Sequence, residues 1–357
     1  MALRLRHEVL QLDLREPFVI ARAAAGAGRS ITTVVVEVES DDFPGVVGLG
    51  EGYPDAFYGE TPETMKRAWP ELFSLTAGLD AEFEDVDAAR AQLAWLGTTW
   101  AAEGRANGAA RCALDVALHD LAAKALGIPV HVLLGLSAVI PPTDFTIGID
   151  EPAVVAERAR RAADFPALKI KVGGPADLDT LRAVRDVFGG PIRVDANTGW
   201  QPDDAVAMLP ELVTLGVELI EQPFPAPRLD QLRSLQARSP LPIVADESCV
   251  SEDDLDGLVG VVAGVNVKLA KCGGVGAAAR MLARARELGF RTFLGCMEET
   301  SVGIAAAAAV GSLAEWVDLD GNLLLARDPF EGLELGTDKR WRLPAVPGLG
   351  VRRRAAL

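Results

Sequence analysis

Histidine is scarce in this chain, with three in 357 residues, at positions 7, 119 and 131. None of them ends an apolar, strand-like run, which argues against histidine-based catalysis. Cysteine is nearly as rare, with four at positions 112, 249, 272 and 296 and no paired spacing. That pattern reads as reduced thiols and excludes a disulfide framework. No GxGxxG fingerprint and no P-loop occur. The N-terminal MALRLRHEVLQLDLREPF lacks an apolar core of signal-peptide length. The most apolar late stretch, 301–317, is alanine-rich, only 17 residues long and carries Glu315. It predicts a buried segment, since a membrane span needs about 20 apolar residues. Basic residues are in deficit: 35 Lys and Arg stand against 51 Asp and Glu, giving a net charge of -16 and a pI near 4.7. Charge of that sign opposes binding to nucleic acid and to anionic membranes. The expected location is the cytoplasm.

What is present is ordinary globular composition, 49% hydrophobic and 24% charged, enough for one large domain or two moderate ones. Strands are predicted over 4–18 and 32–39, with Gly-rich or small-residue loops at 21–30 and 48–61. Helical spacing covers 62–75, 80–96 and 107–126, the last stopping at Gly127. From Thr143 onward a regular alternation begins. Strand cores fall at 143–149, 167–172, 191–196, 217–222, 242–247, 264–269, 291–296 and 315–320, with helical stretches between them. Eight strands at intervals of roughly 22 to 27 residues are the pattern of an α/β chain folded as a (β/α)8-type barrel. The predicted units are an α+β segment at 1–125, the barrel at 126–325, and a tail at 326–357 that packs back on the N-terminal unit.

Three carboxylates sit one repeat apart: Asp195 in VDAN, Glu221 in LIEQP and Asp246 in VADES, with gaps of 26 and 25 residues. Each follows an apolar strand run, the place where a barrel gathers its catalytic side chains. Three convergent carboxylates suit a hard divalent cation such as Mg2+, and uncompensated acids there would be costly. Lys169 and Lys171 precede this set by one repeat, and Lys268 follows it by one. Two residues apart on a strand, Lys169 and Lys171 share a face. Each should raise the other's cost of charging, so at least one pKa is expected to fall toward neutrality, as a lysine base requires. Catalysis is assigned to Lys171 and Lys268, with Lys271 left as an ion pair. Asp318 and Asp320 in VDLDG alternate onto one face and would form an anionic pocket suited to an ammonium group. Gly273 and Gly274 read as a turn, with an anion at a helix start as the weaker alternative.

Taken together, the KIK of strand two, the Asp195, Glu221 and Asp246 set, and Lys268 with the nearby CGG resemble the muconate-lactonizing-enzyme subgroup of the enolase superfamily. The ALDVALHDLAAKALGIPVHVLLG segment supports this, and the resemblance spans nearly the whole chain. It implies that the N-terminal unit is a capping domain completed by the tail. It implies that Lys171 and Lys268 are the paired acid/base catalysts, that Lys169 supports the substrate carboxylate and tunes Lys171, and that the three acids bind one Mg2+ per subunit. The DLD at 318–320 is similar to that of dipeptide epimerases, where two aspartates hold the α-ammonium. GCMEET at 295–300 and PFVIARAAAGAGRS at 17–30 resemble specificity loops. They nominate Glu298 for neutral or cationic side chains and Arg22 or Arg29 for a glutamate carboxylate. Loops 21–30 and 48–61 are expected to close over the substrate.

The implied activity is Mg2+-dependent inversion of the α-carbon of the C-terminal residue of an L-Ala-L-Xaa type dipeptide, L-Ala-L-Glu among them. It would proceed by two-base proton transfer through a metal-stabilised enediolate. N-acylamino-acid racemase, o-succinylbenzoate synthase and muconate cycloisomerase share the metal and lysines and stand as alternatives. A non-catalytic binding protein is disfavoured by the complete set of charged groups. The expected partner is a small dipeptide, with no nucleic acid and no membrane, and self-association as a homo-oligomer is left open.

Overall fold

The computed structural model describes residues 3–22, 28–79, 83, 85–102 and 107–355. The first three strands, β1 (Leu3–Asp13), β2 (Ser30–Ser40) and β3 (Val47–Gly52), form an antiparallel sheet. The first ends before the expected residue 18, because Leu14 leaves it to bridge Leu325. The third was expected as loop, since Val47–Gly52 alternates glycine where a strand usually carries side chains. Helix α3 (Gly108–Ala125) explains the glycines. A Cβ on Gly48, Gly50 or Gly52 would lie 2.1, 2.0 or 2.1 Å from the carbonyl oxygens of Ala117, Ala113 and Ala109 respectively. Two strand residues advance about 6.7 Å and four helix residues about 6 Å, so the two backbones stay in step along the seam. Gly50→Ala should therefore force the sheet off the helix and destabilise the protein by about 1–3 kcal/mol or more. Thermal denaturation reads this directly, and an unchanged Tm would refute the close approach.

Helix α1 (Pro62–Ser74) starts with a Thr61–Thr64 capping box and Pro62 in its first turn, which satisfies free N–H groups. Helix α2 (Val86–Ala102) begins later than expected, and residues 80–82 and 84 of that expectation lie outside the described residues. Helix α3 is buried from Gly108 to Ala123. It lies between the sheet on one side and the barrel on the other, so it needs no polar face.

The barrel strands are β4 (Phe145–Ile147), β5 (Leu168–Lys171), β6 (Ile192–Asp195), β7 (Val217–Glu221), β8 (Ile243–Ala245), β9 (Gly264–Lys268), β10 (Arg291–Gly295) and β11 (Trp316–Asp318). They are parallel neighbours in chain order, and a parallel bridge from Thr143 to Val317 brings the last beside the first. Register sets the site: Lys171 lies beside Asp195, Asp195 beside Glu221, and Gly295 beside both Lys268 and Asp318. Helices cover the outside, and the alanine-rich run forms Ser301–Val310, buried throughout. Among the described residues no helix is long and apolar enough to cross a membrane.

Two carboxylates join the N-terminal unit to the barrel. Asp115 of α3 accepts the Gly276 N–H at 3.1 Å, near the start of the helix Val275–Glu287. The anion beside Gly273 and Gly274 is thus the protein's own. Glu51 of β3, fully buried, accepts from the Thr33 hydroxyl at 2.8 Å on its own sheet. It also accepts from the backbone N–H groups of Thr300 and Gly303, at 3.0 and 2.9 Å, at the head of Ser301–Val310. The tail touches both units. The Leu349 N–H donates to Asp120 of α3 at 2.7 Å, and the Trp341 indole donates to the Leu319 carbonyl at 2.8 Å.

Candidate active site

Five consecutive strands deliver an arc of charge to one end of the barrel. Lys169 and Lys171 come from β5, Asp195 from β6, Glu221 from β7, Asp246 from the residue after β8, and Lys268 from β9. The parallel barrel orients every strand end the same way, so the alternation that points one side chain inward gathers all of them. Asp195, Glu221 and Asp246 are buried, and one oxygen from each lies within 4.8 Å of the others.

All donors are carboxylate oxygens, the preference of a hard divalent ion. Glu221 Oε2 is buried and takes no hydrogen bond. Lys169 Nζ lies 2.8 Å from it as an ion pair without hydrogen-bond alignment. Burial and the charge of Asp195 push the Glu221 carboxyl up to about 7. Three acids that cannot all ionise comfortably, with an oxygen left over, fit a divalent metal.

The lysines hold the arc together. Lys171 donates to Asp195 at 2.7 Å, Lys268 to Asp246 at 2.9 Å, and Lys169 to Asp318 at 2.8 Å. Lys271 donates to Asp246 and to the carbonyls of Asp246, Cys249 and Asn266, as its expected ion-pairing role requires. The lowering expected within the Lys169 and Lys171 pair does not describe Lys169, and Lys268, outside that expectation, shifts the same way as Lys169. Burial alone would lower both, but Asp318, Glu221 and Asp195 hold Lys169 well above its usual range, and Asp246 does the same for Lys268. Acids from the neighbouring strands outweigh the repulsion between ammoniums. In return, Lys171 and Lys169 hold Asp195 low against its burial, and Lys268 and Lys271 hold Asp246 well below the carboxylate range.

A cavity of about 500 Å³ opens over the arc. Lys169, Lys171, Lys268, Glu298, Asp318, Asp320 and Arg22 all line it. Asp318 accepts from Lys169 and from the Thr146 hydroxyl at 3.0 Å, and Lys169 draws its pKa down despite burial. Asp320 accepts the Thr146 N–H at 2.6 Å, and burial together with Asp318 pushes it well above the carboxylate range. Arg22 reaches the cavity but is paired with Asp55 at 3.0 Å and Glu247 at 3.1 Å. Arg29 is exposed and is not among the lining residues. Residues 23–27 of the expected loop lie outside the described residues, and 48–52 of the second loop belong to β3.

Residues 5–135 match the mandelate racemase / muconate lactonizing enzyme N-terminal domain, and residues 153–356 match the enolase C-terminal domain-like family. The chain belongs to this family. It is 37% identical over 348 residues to the L-Ala-D/L-Glu epimerase of Bacteroides thetaiotaomicron, covering 96% of this chain and 85% of that protein. It is 37% identical over 342 residues to the hydrophobic dipeptide epimerase of Roseobacter litoralis, covering 92% and 93%. The crystal structure of the dipeptide epimerase from Enterococcus faecalis, complexed with Mg and L-Leu-L-Tyr, is similar with a TM-score of 0.86 at 31% identity. That match covers 98% of this chain and 99% of that one.

Several residues that shape this family member's site escaped the sequence reading. Asn266 donates to Glu221 at 2.7 Å and stands two residues before Lys268, so strand alternation could have found it. Thr146 alternates inward on β4 by the same rule. Asp55, Tyr53 and Glu247 come from loops, where no periodicity marks a facing side chain. The Gln222 amide oxygen accepts from the backbone of Asp246 and Ser248, at 2.9 and 3.1 Å, fixing the acid-bearing turn after β8.

Proposed function

We propose that this protein is a Mg2+-dependent dipeptide epimerase that inverts the α-carbon of the C-terminal residue of an L-Ala-L-Xaa type dipeptide by two-base proton transfer. The observation that carries this reading is the placement of Lys171 and Lys268 at opposite ends of the acid arc, in one cavity with Asp318 and Asp320. Asp195, Glu221 and Asp246 would hold the metal. Mg2+ bound there supplies charge that stabilises the negative charge developing on the substrate carboxylate. Lys171 takes the α-proton from one face and Lys268 delivers one to the other, with the roles exchanged for the opposite enantiomer. Lys169 orients the carboxylate through its ion pairs. Asp318 and Asp320 receive the α-ammonium, a charge that N-acylated amino acids and muconate lack. The four free thiols support a reducing, cytoplasmic setting.

Incubating a dipeptide library with Mg2+ in D2O and reading mass gains tests the reading. Exchange of N-acylated amino acids alone would overturn it in favour of the racemase alternative.

Asp320 supplies a pH test. Its free-state pKa is raised, so its neutral form is favoured until pH climbs past that value, whereas an ammonium partner favours the ionised form. Dipeptide binding should therefore release a proton and tighten as pH rises. Asp320→Asn should weaken dipeptides by about 3–5 kcal/mol if the pair is fully desolvated. It should affect N-acylated amino acids far less. Calorimetry in two buffers of different ionisation enthalpy reads the proton, and its absence would remove Asp320 from the ammonium site.

A further inference from the structure

The cavity's cations can be accounted for one by one. Lys169 faces Glu221 and Asp318, Lys171 faces Asp195, and Lys268 faces Asp246, each within 2.9 Å. Arg22, whose side chain is 16% exposed, is held between Asp55 and Glu247 and lies 4.4 Å over the Phe57 ring. Among the described residues, no cavity-lining cation is left without a carboxylate partner. Glu298 is the reverse case. It is half-buried and lines the cavity, and no Lys, Arg or His among the described residues forms an ion pair with it. Its charge falls on Tyr53, whose phenol is raised first by burial and then by Glu298 and Asp55.

On the epimerase reading, we propose that this cavity selects dipeptides carrying a basic side chain, and that Glu298 receives it. A side-chain carboxylate would meet Glu298 with no free cation to offset it, and like charges repel. An apolar side chain finds Ile20, Phe57 and Met297 in the lining but leaves Glu298 with the Tyr53 phenol and no cation. A lysine or arginine side chain lays its stem on those apolar groups and pairs its head with Glu298. The order of preference is basic, then neutral, then acidic.

The test uses the full-length, Mg2+-loaded protein with L-Ala-L-Lys, L-Ala-L-Arg, L-Lys-L-Ala, L-Ala-L-Leu and L-Ala-L-Glu. Basic dipeptides should lead in kcat/KM, and L-Ala-L-Glu should be poorest. In Glu298→Gln the ratio of the best basic dipeptide to L-Ala-L-Leu should fall about 10- to 100-fold, the worth of a hydrogen bond to a charged group. The change should sit mainly in KM, and Mg2+ binding by calorimetry checks that the variant is folded. A wild-type preference for L-Ala-L-Glu or L-Ala-L-Leu overturns the selection while leaving the epimerase reading intact. An unchanged ratio in Glu298→Gln overturns Glu298 as the selector. Turnover of no dipeptide at all would sink the reading beneath both.

Discussion

Glu221→Gln is expected to give a folded protein that has lost Mg2+ and nearly all turnover. The choice of acid matters. Asp246 sits beside Lys268 and Lys271, and Asp195 beside Lys171 and Lys169, so neutralising either would strand buried cations and endanger the fold. Glu221 also pairs with Lys169, but Lys169 keeps Asp318 at 2.8 Å and Asp195 at 3.3 Å when Glu221 is neutralised. Burial and Asp195 raise the Glu221 carboxyl to about 7, so the neutral amide imitates a form the fold tolerates. The metal needs the ionised form. Losing a group that merely hydrogen-bonds a metal ligand costs about 10- to 100-fold in metal affinity, and loss of a ligand should reach at least the upper end. Calorimetric titration with Mg2+, circular dichroism and turnover together check this. Full activity in Glu221→Gln, or in EDTA-treated wild type, would remove the metal from the mechanism.

Lys171→Met and Lys268→Met should each abolish epimerisation by about 10³-fold or more, since inversion needs both bases, and proton transfer by one positioned group is worth about 10²- to 10⁴-fold. Neither variant should be inert. The surviving lysine still faces the α-proton of one enantiomer and exchanges it with solvent. In D2O each variant should therefore label one configuration of the C-terminal residue, and the two variants should label opposite ones. Equal labelling of both configurations by either variant would exclude a two-base mechanism.

How much of this was legible in the sequence depends on the range of the interactions. The barrel was readable because its strands recur at a nearly constant interval, and Asp195, Glu221 and Asp246 each mark the end of one repeat. Lys169 and Lys171 were readable as a same-face pair from their two-residue spacing. The strand at Val47–Gly52 was not, because its glycines answer to a helix some 60 residues later, and glycine signals a loop when seen locally. The lysine pKa directions were not readable either. The sequence shows Lys169 next to Lys171, but the carboxylate that Lys169 bonds, Asp318, is 149 residues away across the barrel. The engagement of Arg22 escaped for the same reason, since its partners come from a loop and from the turn after β8.

The Glu51 junction ties the two halves of the chain together at the cavity. Glu298 lies two residues before Thr300, whose N–H Glu51 accepts at 3.0 Å, so the strand that carries Glu51 also fixes the loop that carries Glu298. Arg22, Tyr53 and Asp55 enter the cavity from the same N-terminal unit. A recombination event that joined this barrel to another cap would leave the proton-transfer chemistry on its strands but unseat the loop that reads the side chain. The two halves are therefore expected to work as a matched pair: a chimera of this barrel with a foreign cap should keep α-proton exchange and lose side-chain discrimination.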